Sequence, residues 1–130
     1  MGMELRVLGS SSSGNCYILD NGNEALIIEA GIRFIDVKKA LDFNIRKVVG
    51  CLITHQHNDH AKYAKAMVDC GFHVLALPEV IESKELKGSR VKAIKTGSGY
   101  LLGGFRVIPF PAFHLSLIHI SEPTRPISIS

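Results

Sequence analysis

His55, Gln56, His57, Asn58, Asp59 and His60 put three imidazoles and a carboxylate into six consecutive residues. Neutral imidazole nitrogens and carboxylate oxygens suit zinc, iron or manganese, and a catalytic site needs several of them converging on one point with a coordination position open. The apolar run 48–53 before them reads as a buried strand, with a polar turn beyond Thr54, so the candidate ligands sit at a strand's C-terminal end. Residues two apart in an extended segment face the same way. His55, His57 and Asp59 can therefore point together while His60 opens the helix that follows, and one hexapeptide can supply two adjacent metals. Four such groups crowded for structural reasons alone would cost free energy with nothing to compensate it. His73, alone in the apolar segment 72–77, reads instead as an ordinary core or surface histidine.

The elements that must position this cluster can be read around it. Residues 4–8 read as a short strand, 9–14 as a glycine-serine loop and 15–19 as a second strand. Gly9 and Gly14 have the spacing of a phosphate-cradling loop, but Asn15 and Cys16 stand where lysine and serine or threonine are required, so that reading fails. A tight link between strands remains, whose N–H groups and hydroxyls could help position an anionic substrate. Asn21-Gly22 predicts a type I′ hairpin, with 25–28 continuing the sheet. Phe34, Val37, Ala40 and Leu41 recur at helical spacing over 34–43, and Asp36 favours that helix's N-terminal end. Ala61, Ala64, Met67 and Val68 predict a second helix ending at Gly71. Strands are expected at 73–77, 90–95 and 105–110, separated by a Pro78-initiated helix and glycine turns at 97–99 and 103–104. The order predicts a layered α/β (α+β) domain, its sheet packed on helices.

With 130 residues, 46% hydrophobic and 21% charged, the chain has room for one globular domain. No apolar run approaches the ~18 residues that span a bilayer, and the start lacks the basic region and long apolar stretch of a signal peptide, so no membrane partner and a cytoplasmic location are expected. Cys16, Cys51 and Cys70 are odd in number and widely spaced, which indicates neither a disulfide framework nor a zinc ribbon. They read as buried thiols, Cys51 being an outside candidate for a site role. A net charge of +3 permits a phosphate-bearing substrate, but the scattered lysines and arginines do not argue for nucleic acid.

Residues 115–130 stand apart. Leu-Ser-Leu-Ile-His-Ile-Ser-Glu-Pro-Thr-Arg, from Leu115 to Arg125, resembles the translation of a transposon-type sequencing adapter, and the closing Ile129-Ser130 fits the adapter's continuation. The expected organisation is thus a partial domain over 1–114 and a non-native tail over 115–130, in which His119 is not a candidate ligand. Removing the tail takes away Glu122 and Arg125 together and leaves the net charge at +3.

The segment Thr54-His55-Gln56-His57-Asn58-Asp59-His60 resembles the His-x-His-x-Asp-His signature of metallo-β-lactamase-fold hydrolases. The opening, from Leu5 through Gly9-Ser10-Ser11-Ser12-Ser13-Gly14-Asn15-Cys16 to Leu19, is similar to the YycJ-like branch, which includes exonuclease-type and phosphodiesterase-type members. The resemblance implies the N-terminal half of an αββα sandwich. It implies two divalent ions, zinc by default with manganese or iron possible, His55 and His57 holding the first with a later histidine, matched by His114, and Asp59 and His60 the second. Asp59 would also orient the nucleophile. Glu29 stands where many members have aspartate, with a supporting hydrogen-bond role and not a ligand's.

The implied reaction is hydrolysis by a metal-activated hydroxide, with a phosphodiester substrate in nucleic acid or a small nucleotide-like molecule. Thioester (glyoxalase-II-like) or β-lactam hydrolysis is the enzyme alternative, and a metal-binding module without catalysis is the third. An oxygen-reducing di-iron role is disfavoured, since such relatives need a carboxylate where His57 stands. The family also uses a bridging aspartate and a final histidine after the third motif. No aspartate follows His114 and His119 falls in the tail, so weak or single-metal binding and little turnover are expected of this chain. Oligomeric state is left open.

Overall fold

Strands β3 (Ala25–Ile28) and β4 (Val48–Ile53) are short apolar runs, and β3 is buried along its whole length, the pattern of strands interior to a parallel sheet. The fold is built outward from this pair. The computed structural model describes residues 3–111, 116–122 and 125–129, from residue 110 onward by backbone alone. A six-stranded sheet runs in the order β1-β2-β3-β4-β5-β6. Its strands β1 (Glu4–Ser11), β2 (Gly14–Asp20) and β3 form an antiparallel meander, whereas β3, β4, β5 (Val74–Ala76) and β6 (Val91–Ala93) are parallel. Helices α1 (Phe34–Ala40), α2 (Asn58–Ala61), α3 (Ala64–Asp69) and α4 (Pro78–Ser83) make the crossovers that parallel pairing requires.

A second, antiparallel sheet contains β7 (Tyr100–Leu102), β8 (Phe105–Pro111), β9 (Ser116–Glu122) and β10 (Arg125–Ile129), in the order β10-β9-β8-β7. Val37, Met67 and Val80 from the helices and Leu102, Phe105 and Val107 from the second sheet join one buried cluster with β2 to β5. The sheets meet closely at Gly50, where a Cβ would lie 3.1 Å from both Leu102 methyls. This is the layered α/β (α+β) arrangement expected. The strands β9 and β10 fall within 115–130 and pair through backbone groups alone. Among the described residues no helix is long and apolar enough to cross a membrane.

Several local expectations are corrected. Most of the expected glycine-serine loop is strand: β1 runs on to Ser11 through a register shift between Val7 and Gly9, leaving Ser12 and Ser13 as the turn. The Asn21-Gly22 turn is not type I′, because Gly22 has positive φ (98°) and Asn21 does not. Helix α1 stops at Ala40, where the chain turns through left-handed Asp42 and Phe43. The helix expected after the cluster is broken at Lys62 and Tyr63 into α2 and α3, although Gly71 (φ 97°) ends it as expected. Strand β7, between the two glycine turns, was not expected at all.

Candidate metal centre

Parallel strands deliver their C-terminal ends to one side of a sheet, where open α/β sheets place ligands. Ile28 is in register with Leu52, so Glu29 and Thr54 emerge side by side. Glu29 has a left-handed backbone (φ 69°), a conformation that costs a residue with a side chain of order 1 kcal/mol or more and persists where its surroundings enforce it. Here its N–H donates to Leu52 O at 2.7 Å. Glu29 is 4% exposed, and its carboxylate lies against the end of β4.

Glu29 Oε1 accepts from the Thr54 backbone N–H at 2.8 Å, and Oε2 accepts from Thr54 Oγ1 at 2.7 Å and His60 Nδ1 at 2.5 Å. His55 Nδ1 lies 3.5 Å from the same oxygen and 2.7 Å from Thr54 Oγ1. A hydroxyl has one proton. Thr54 gives it to Glu29, so it accepts from His55 Nδ1, which carries the hydrogen. His60 Nδ1 carries one too, because its partner is a carboxylate. Each ring is thereby left with Nε2 as the atom that can hold a metal, the usual arrangement when a carboxylate orients ligating histidines. The rings are adjacent, their centroids 4.3 Å apart.

Electrostatics agree with this geometry. Burial pushes Glu29 up, but the nearby His55 and the hydrogen bonds from His60 and Thr54 outweigh it and hold the carboxyl below its ordinary range. The bond to Glu29 raises His60 above the ordinary imidazole value against the opposing effect of burial.

Glu29, His55 and His60 each offer a ligand atom within 4.8 Å of the others. Asp59 borders this group, its Oδ2 3.5 Å from His60 Nε2. The extended-strand argument does not reach Asp59, which lies inside α2. His57 precedes α2, exposed, its backbone carbonyl accepting from the N–H groups of His60 and Ala61 at 2.9 Å each. It is not in the three-residue group, since the chain has turned between His55 and Asn58. His114 lies outside the described residues. Two imidazole Nε2 atoms, that of His60 lying 3.5 Å from the Asp59 carboxylate, are a donor set that fits divalent ions of the zinc, manganese or iron kind. Cys51 has no part in this: it is fully buried, and burial pushes its thiol well above the ordinary value.

Thr54 was part of the motif, but its hydrogen-bonding role was not foreseen. Asn15 and Gly31 were missed. Asn15 Nδ2 donates to Asp59, and Gly31 packs against the Asp59 carbonyl so closely that a Cβ there would collide with it. Their partner is distant in sequence, and no local pattern announces it.

Residues 10–64 match the sequence model of the metallo-beta-lactamase superfamily. Among solved structures, the metallo-beta-lactamase fold protein YhfI from Bacillus subtilis superposes with a TM-score of 0.77 at 14% identity, over 98% of this chain and 62% of that one. The chain has part of the metallo-β-lactamase fold. A metallo-beta-lactamase from Staphylococcus aureus subsp. aureus COL gives a TM-score of 0.72 at 11% identity, over 97% of this chain and 42% of that one. In sequence, the chain is similar to exodeoxyribonuclease YycJ of Bacillus anthracis, with 35% identity over 65 residues, 48% of this chain and 25% of the relative. The chain thus spans between 25% and 62% of the length of these relatives.

Proposed function

We propose that the protein from which this chain derives is a metal-dependent hydrolase of phosphodiesters, of nuclease or phosphodiesterase type. The observation that carries this reading is the shared use of Glu29 by Thr54 and His60, with Thr54 passing the link to His55, which leaves both imidazole Nε2 atoms as donors. His55 and His57 with His114 would hold one ion, and Asp59 and His60 a second. When bound, the ions supply hydroxide near neutral pH and polarise the scissile group. The chain's own part is to hold the imidazoles in one tautomer and the Asp59 carboxylate beside them. The similarity to an exodeoxyribonuclease favours a phosphodiester in nucleic acid over thioesters and β-lactams.

We further propose that residues 115–130 are non-native and that the ligands completing the second ion belong to sequence beyond His114. The chain should then bind metal weakly or singly and turn over little. Titration with zinc or manganese during bis(p-nitrophenyl) phosphate hydrolysis tests both proposals. The expected result is slow, metal-dependent hydrolysis that a longer natural sequence raises strongly. Fast two-metal turnover by residues 1–130 would overturn the account of the tail, and no hydrolysis even by the longer sequence would overturn the phosphodiesterase reading.

A further inference from the structure

We propose that Asn15 is a positioning residue for Asp59, fixing the direction of its carboxylate and hence the metal affinity of the centre. The inference rests on the metal reading above and adds a residue to it. Among the described residues the buried polar or charged side chains are Asn15, Glu29 and Thr54, and the last two already serve the histidines. Asn15, near the start of β2 and 9% exposed, places Nδ2 2.9 Å from Ser11 O, 3.1 Å from Asp59 O and 3.3 Å from Asp59 Oδ2. Two N–H bonds are thus shared among three acceptors, two of them on Asp59.

The backbone contact has a physical cause. In a continuing helix the Asp59 carbonyl would accept from the Tyr63 N–H, but that group turns to Ala30 O at 2.8 Å. Asn15 supplies a donor to the carbonyl so released. The Asn15 carbonyl in turn accepts from the Gly31 N–H at 2.9 Å, and Gly31 lies against the Asp59 carbonyl. Asp59 is therefore clamped from β2 and from the segment after β3 at once. The carboxylate oxygen that Asn15 holds is the one 3.5 Å from His60 Nε2, so the amide sets the carboxylate beside the imidazole atom available to a metal. Asn15→Asp is close to isosteric but offers no donor and adds a negative charge beside Asp59.

The test is the zinc affinity of the full chain, by competition with a chromophoric chelator, paired with the melting temperature of the metal-free protein. The variants are Asn15→Ala, Asn15→Asp and Leu102→Ala, the last a core truncation packed on Gly50 in the interface between the sheets. Loss of a hydrogen bond that orients a metal ligand typically weakens binding about 10- to 100-fold, and both Asn15 variants should do so with an altered cobalt(II) absorption spectrum. Leu102→Ala should lower the melting temperature at least as much while leaving zinc affinity within about threefold of wild type. Asn15→Asp keeps the comparison readable should Asn15→Ala fail to fold. Wild-type zinc affinity in an Asn15 variant, or an equal loss in Leu102→Ala, overturns this proposal alone. A wild-type chain that binds no zinc overturns the metal reading and this proposal with it.

Discussion

Glu29 and His60, 31 residues apart in sequence, are joined by a 2.5 Å hydrogen bond from His60 Nδ1 to Glu29 Oε2. The carboxylate that makes it also receives both hydrogen-bonding groups of Thr54. Glu29→Gln keeps the shape but removes the charge and one acceptor oxygen. It should weaken zinc binding about 10- to 100-fold, measured by chelator competition. Unchanged affinity would mean that the histidines do not depend on Glu29 for their orientation.

Gly31→Ala should damage the same centre from the backbone side. The added methyl would collide with the Asp59 carbonyl and approach Asn15 N to 2.7 Å, and neither backbone can yield freely. Overpacking of this kind costs about 1–3 kcal/mol. Denaturant unfolding of the metal-free chain should show that loss, and zinc affinity should fall as well. Wild-type stability in Gly31→Ala would show that α2 can move away.

The Asp20 carboxylate and the Lys47 ammonium, both partly buried, meet at 2.7 Å. Burial pushes Asp20 up, but the hydrogen bonds from Lys47 and the Gly22 N–H and the nearby positive charges outweigh it, so the folded-state pKa is lowered. A lowered carboxylate pKa adds stability that is present above the unfolded value, about pH 4, and lost as pH falls through the folded value. Asp20→Asn should therefore cost about 1 kcal/mol near neutral pH and progressively less below about pH 4, read from urea unfolding at a series of pH values. A difference that persists undiminished at pH 2 would contradict this.

Cys16 and Cys51 are completely buried, and burial pushes the Cys16 thiol up to about 12 and Cys51 well above its ordinary value. Since the thiolate is the reactive form, neither should be alkylated by iodoacetamide at pH 8 until the chain unfolds, whereas the part-exposed Cys70 should react first. Peptide mass mapping after a timed reaction decides this, and rapid labelling of Cys51 in the folded chain would contradict the core packing described.

The apolar runs of β3, β4 and β5 and the helical spacing around Val37 and Met67 were legible in the sequence because burial imposes its own periodicity. The metal motif was legible because its donors are contiguous. The hydrogen-bonded frame was only partly so. Glu29 could be suspected by resemblance, but the links from Asn15 to Asp59 and from Gly31 to the same carbonyl join segments brought together by the sheet order. The break between α2 and α3 was hidden for the same reason: Ala30 takes the Tyr63 N–H and donates to His60 O, and no local propensity encodes that exchange. The extension of β1 to Ser11 was obscured because serine and glycine read as loop residues, whereas pairing with β2 decides the matter.

Glu29 and Thr54 hold His55 and His60 as Nδ1–H tautomers, which presents Nε2 of His55 to the first proposed ion and Nε2 of His60 to the second. Long-range proton–nitrogen NMR of the 15N-labelled chain at pH 8, during zinc titration, tests it most directly. The predicted result is two imidazoles protonated at Nδ1, with zinc shifting an Nε2 resonance of this pair, and with His55→Ala and His60→Ala assigning them. Zinc that leaves both Nε2 resonances unmoved, or that binds through Nδ1, would contradict it.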